Sequence, residues 1–147
     1  GGSLEEKLEK IKIGKAESLT KEGNILIISI GSMVYPSLEA AKILKDKGIE
    51  AEVVDARFVK PIDKDFFKEK FSKYRKVITV EDNALEGGFG SKINDFILKE
   101  SIENIKVKNI GIPDEFIEHG TIKELRDMLA LNAEGIADVV YDFVSNS

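Results

Sequence analysis

The 147-residue sequence has no cysteine. That excludes disulfides, thiolate nucleophiles and thiolate metal sites together, and it fits a cytoplasmic protein. There is one histidine, His119, so no His-rich metal site can form. No apolar run approaches the ~20 residues that a membrane-crossing helix needs. The longest, Ile25 to Ile30, is short and includes Ser29. No charged segment followed by an apolar stretch opens the chain, so no secretory signal is expected. Positive charge is in the minority, with 22 Lys and Arg against 27 Asp and Glu and a net charge of −5. A chain built to grip phosphate backbones carries a basic face. Neither nucleic acid nor a membrane is therefore expected as a partner.

What is present is an ordinary globular composition, 42% hydrophobic and 33% charged, enough for one domain with a proper core. Gly1-Gly2-Ser3 reads as a cloning scar. Leu4, Leu8 and Ile11 fall at helical spacing, which suits a short helix or a linker. Residues 1–12 are read as scar plus linker, and 13–147 as a single domain.

Within that domain, apolar patterns alternate between strand and helix. Lys15 to Leu19 suits a short strand, followed by a turn at Lys21 to Asn24. Ile25 to Ile30 is a continuous β-branched run, as in a strand covered on both faces. Pro36 suits a first helical turn, with Leu38, Ala41 and Leu44 along one face and Gly48 as the stop. Ala51 to Asp55 is the next strand. Asp63 can cap a helix that buries Phe66, Phe67 and Phe71. Lys76 to Val80 is a third buried strand, and Ile105 to Ile110 a fourth. Between them Phe89, Ile93, Phe96 and Ile97 form a helical stripe. Thr121 and Glu124 form a capping box. Asn132 can cap a last helix striped by Ile136, Val139, Val140, Phe143 and Val144. Alternating strands and helices imply right-handed crossovers and a mostly parallel sheet covered on both faces. The Lys15 to Leu19 strand would run antiparallel at an edge.

In such sheets ligands bind beyond the carboxyl ends of the strands. That singles out Gly31-Ser32, Asp55-Ala56-Arg57, Glu81-Asp82-Asn83 and Gly111 to Asp114. Gly87, Gly88 and Gly90 suggest backbone N–H groups facing an anion, or glycines that let a helix start pack closely. Neither standard phosphate-loop spacing is met. Glu81, Asp82 and Glu86 could act as paired carboxylates or hold Mg²⁺, or form a solvated loop or subunit contact. His119, beside Glu118, could be a general base or a locally bonded loop residue, and no nucleophile motif accompanies it. Arg57 could meet an anionic substrate or pair with Asp55 or Asp63. Tyr74-Arg75-Lys76 reads as a solvated helix end.

Three segments carry a resemblance. Val54 to Asp63 (V-D-A-R-F-V-K-P-I-D), Thr79 to Ser91 (T-V-E-D-N-A-L-E-G-G-F-G-S) and Ile110 to Gly120 (I-G-I-P-D-E-F-I-E-H-G) resemble the C-terminal domain of 1-deoxy-D-xylulose-5-phosphate synthases. Ile13-Gly14-Lys15 resembles the start of that domain, and the similarity runs from about Lys12 to Phe143. It implies a transketolase C-terminal fold: three α/β/α layers, a mostly parallel sheet and one antiparallel edge strand. It also implies a homodimeric cytoplasmic enzyme that condenses pyruvate with glyceraldehyde 3-phosphate and releases CO₂. Such enzymes use thiamine diphosphate with Mg²⁺ and feed isoprenoid, thiamine and pyridoxal synthesis. The G-D-G…N motif that holds the cofactor in that family is not in this sequence. No residue here is therefore assigned as catalytic, cofactor-binding or metal-binding, and no cofactor is expected bound to this chain alone. The expected role is structural, with the N-terminal domains of the same enzyme as partners. Glu81, Asp82, Gly87, Gly88, Phe89 and Gly90 are the candidate contact loop. Other readings are a stand-alone subunit of a split transketolase or of a 2-oxo acid dehydrogenase type of enzyme, and an independent small-ligand-binding module.

Overall fold

The computed structural model describes residues 15–57, 62–84, 87–112 and 131–146, with 83 and 84 described by their backbone alone. Five strands form one sheet in the order β1-β3-β2-β4-β5. They are β1 (Glu17–Ser18), β2 (Ile25–Ser29), β3 (Ala51–Asp55), β4 (Lys76–Ala84) and β5 (Lys106–Ile112). Four of them run parallel, and β1 lies antiparallel on β3 at the edge. The expected edge strand is therefore present, and its pairing partner is β3 rather than the strand that follows it in sequence.

Every residue of β2 is buried, which is why its run lacks polar alternation. Helices α1 (Val34–Asp46) and α4 (Ala133–Ser145) cover one face. There Ile25, Ile27, Val53, Ile78 and Val80 pack with Ala40, Leu44, Ile136 and Val140. Helices α2 (Lys64–Lys73) and α3 (Phe89–Lys99) cover the other. On that side Leu26, Ile28, Val54 and Val77 meet Phe67, Phe71, Phe89, Ile93 and Phe96. A fully buried side chain of this size stabilises by about 1.5–3 kcal/mol, so the two apolar layers hold the sheet from both sides.

The helix ends follow the sequence signals. Asp63 accepts from Phe66 N at 3.4 Å, and Asn132 accepts from Gly135 N at 2.9 Å. The face of α1 is turned from the expected one. Ser37, Ala40 and Leu44 are buried, while Leu38 and Ala41 are half-buried. The helix packs on α4 as well as on the sheet. Phe66 is likewise half-buried, beside buried Phe67 and Phe71. The linker at 4–12 and the capping box at Thr121 and Glu124 lie outside the described residues.

The chain leaves β2 through α1 toward β3, then crosses back through α2 to β4 on the other side of β2. The connections thus diverge between the carboxyl ends of β2 and β4, which is where a crevice forms in this topology.

Candidate functional site

At that divergence Ser32 Oγ donates a hydrogen bond to Asp82 Oδ2. Gly31, just before it, has φ +61° with open space around it, a conformation that glycine adopts freely. Beyond β3, Arg57 has φ 62° and its N–H donates to Asp55 Oδ1 at 2.8 Å. Its guanidinium pairs with Glu17 on the edge strand. The sequence pointed to Asp55 or Asp63 as its ion-pair partner, but Asp63 is engaged with Ala16 N at 3.1 Å as well as with its own helix. Glu17 is distant in sequence and adjacent only through the β1–β3 pairing.

Strand β4 runs on to Ala84, past the expected end at Val80. Glu81 is therefore a strand residue and fully buried, not part of a solvated acidic loop. Its Oε1 accepts from Phe89 N at 2.9 Å and its Oε2 from Gly90 N at 2.6 Å. Burial pushes the Glu81 carboxyl above the usual carboxylate range and neighbouring Asp82 adds to this, while the two backbone N–H groups pull the other way. Asp82 points to Ser32, so the two carboxylates go to different partners.

The glycines around this start of α3 have separate reasons. Gly87 has φ +73°. Gly88 is the N-cap, in extended conformation, and offers no side-chain cap. Gly90 lies against the sheet: a Cβ there would stand 2.9 Å from Thr79 Oγ1 and 3.0 Å from Asn109 Oδ1. Those two side chains are bonded to each other at 2.7 Å across β4 and β5. Phe89 is buried among the α2 and α3 aromatics. Of the six loop candidates, Asp82, Gly87 and Gly88 reach toward the surface.

Sequence reading missed a second polar centre, on the far side of β3. Glu52 is fully buried. It accepts from Lys70 Nζ at 2.6 Å, Ser18 Oγ at 2.5 Å and Tyr74 OH at 2.7 Å. Gly23 N donates to the Tyr74 oxygen at 2.9 Å. Burial raises the Glu52 carboxyl, but the bonds from Lys70, Ser18 and Tyr74 outweigh it and hold the group below its usual range. Tyr74 is held well above the usual phenol range by burial and by Glu52. Tyr74 is thus a buried partner, not a solvated helix end. The available signal was Glu52 itself, a carboxylate inside a strand with apolar neighbours, which must find a cation or donors.

A cavity of about 560 Å³ lies at the opposite end of the sheet, where α2 and α3 finish, lined among others by Phe71, Arg75, Ile102 and Asn104. Lys68 and Glu100 pair across it at 3.2 Å. Among the described residues no group of three or more His, Asp or Glu converges to hold a metal. His119, Pro113, Asp114 and Glu86 lie outside the described residues.

A family profile described as "Transketolase, C-terminal domain" matches residues 14–136. Relatives include the 1-deoxy-D-xylulose-5-phosphate synthase of Halothermothrix orenii, 44% identical over 94% of this chain and 22% of its own length. That of Geobacter sulfurreducens is 41% identical over 99% and 23%, respectively. The chain thus spans about a fifth of the curated relatives it matches. A solved structure described as a split gene transketolase, inactive beta4 tetramer, superposes with TM-score 0.76 at 32% identity, over 88% of this chain and 42% of that one. A transketolase mutant from Pichia stipitis, at 22% identity and TM-score 0.62, shares the fold. With the profile, the synthase relatives and the three-layer fold in agreement, the chain belongs to the transketolase C-terminal domain family.

Proposed function

We propose that this domain is the C-terminal part of a cytoplasmic, thiamine-diphosphate-dependent 1-deoxy-D-xylulose-5-phosphate synthase, and that its role there is structural. The intact enzyme would condense pyruvate with glyceraldehyde 3-phosphate and release CO₂, supplying isoprenoid and thiamine synthesis. The observation that carries this is identity of 41–44% along nearly the whole chain, confined to about a fifth of the synthases.

Thiamine diphosphate and Mg²⁺ do not fit the described residues. The glycine-rich start of α3 that could face a diphosphate is filled by the Glu81 carboxylate, and among the described residues no acidic cluster converges. In this reading both belong to the N-terminal domains, and this domain supports the homodimer through its strand-end surface, with Asp82, Gly87 and Gly88 in the contact. An antibody raised to this chain should precipitate, from source cells, a CO₂-releasing activity that needs pyruvate, glyceraldehyde 3-phosphate and thiamine diphosphate. Full precipitation of the antigen with the activity left in the supernatant would refute the assignment. The split-gene transketolase neighbour favours a second reading, a separate subunit that joins a catalytic chain.

A further inference from the structure

Helix α3 starts without a cap of its own. The first N–H groups of a helix have no intrahelical acceptor, and Gly88 at the N-cap supplies none. Phe89 and Gly90 are both buried, so water does not replace the missing partner. The acceptor comes from β4, eight and nine residues earlier in sequence, as the two oxygens of Glu81. Helix starts of this kind attract anions because the N–H groups and the helix dipole point the same way. Here the anion is part of the chain.

We propose that Glu81 is the positioning residue of the Gly87–Ser91 corner: an internal carboxylate that fills the anion seat of α3 and fixes the helix start against β4. Two features make the corner depend on it. α3 approaches the sheet closely at Gly90, where a Cβ would stand 2.9 Å from Thr79 Oγ1 and 3.0 Å from Asn109 Oδ1. Gly87, with φ +73°, turns the backbone immediately before the helix and imposes little restraint itself. With Glu81 removed, the N–H groups of Phe89 and Gly90 would lose their acceptor inside a buried corner. The seat is internal to the corner and is filled by Glu81 whether or not the corner meets a second subunit.

The test is chemical rescue. Glu81→Ala removes a methylene and a carboxylate, which together are acetate. The variant should melt at least about 3 °C below the parent chain. Sodium acetate should restore much of that loss where sodium chloride at equal ionic strength does not, and the parent should respond alike to both salts. A variant that melts like the parent, or acetate no better than chloride, or an equal gain in the parent, would overturn the proposal. If Glu81→Ala does not fold, Glu81→Gln decides it by amide hydrogen exchange. Gln offers one acceptor oxygen for two N–H groups, so the amide of Phe89 or Gly90 should exchange faster while that of Ile78 does not. Unchanged protection at both would equally refute it.

Discussion

The carboxylate of Glu52 and the ammonium of Lys70 meet at 2.6 Å beneath the edge strand, with side chains only 1% and 12% exposed. Ser18 and Tyr74 fill the remaining acceptor positions. A buried ion pair contributes little beyond what well-packed apolar residues would, but removing one member leaves the other charge stranded. Lys70→Met should therefore cost about 3–5 kcal/mol, read from the urea midpoint. Adding Glu52→Gln to it should cost less than the sum of the two single changes. Strict additivity would show that the pair is not coupled.

The two buried carboxylates should respond to pH in opposite directions. Burial raises the Glu52 carboxyl, but its bonds from Lys70, Ser18 and Tyr74 hold it below the ordinary 4.5. Its contribution is present above pH 4.5 and is lost as pH falls through the folded value. Burial raises Glu81 above 4.5, so the protonation-linked part of stability is present below that pH and is lost as pH rises through the folded value, while the carboxylate keeps its bonds to Phe89 N and Gly90 N. Glu52→Gln should flatten the acid limb of a stability–pH curve below 4.5, and Glu81→Gln should remove a decline above it. The reverse assignment of the two limbs would contradict both directions.

Much of this architecture can be read along the chain, because the signals are local. The Ile25 to Ile30 run, apolar but for Ser29, the caps Asp63 and Asn132, and the Phe89–Ile93–Phe96–Ile97 stripe all match the structure. Features set by distant partners are not legible in the same way. Arg57 finds Glu17 only because β1 lies on β3. Glu81 becomes a cap only because β4 continues beyond Val80 and brings it under α3. The α1 face is turned because α4, nearly ninety residues away, shares its contact.

Two glycines should resist substitution for lack of space. Gly90→Ala drives a methyl to 2.9 Å from Thr79 Oγ1 and should cost about 1–3 kcal/mol. Gly23→Ala drives one into the Glu50 carbonyl, which is backbone and cannot swing aside, and should cost at least as much. Gly31→Ala, in open space, meets only the penalty of positive φ, about 1–2 kcal/mol. Gly90→Ala also strains the corner of α3, so its thermal midpoint should drop while that of Leu98→Ala, at an exposed position, stays within error. Equal midpoints for the two would argue against close packing at Gly90.

In the proposed reading this domain works as one part of a larger thiamine-diphosphate synthase. The most direct measurement is the mass of the native protein in its source cells, by immunoblot with an antibody to this chain. A band several times larger than 16.3 kDa, consistent with relatives of which this chain is about a fifth, is the predicted result. A band near 16.3 kDa would contradict it and establish a free-standing subunit.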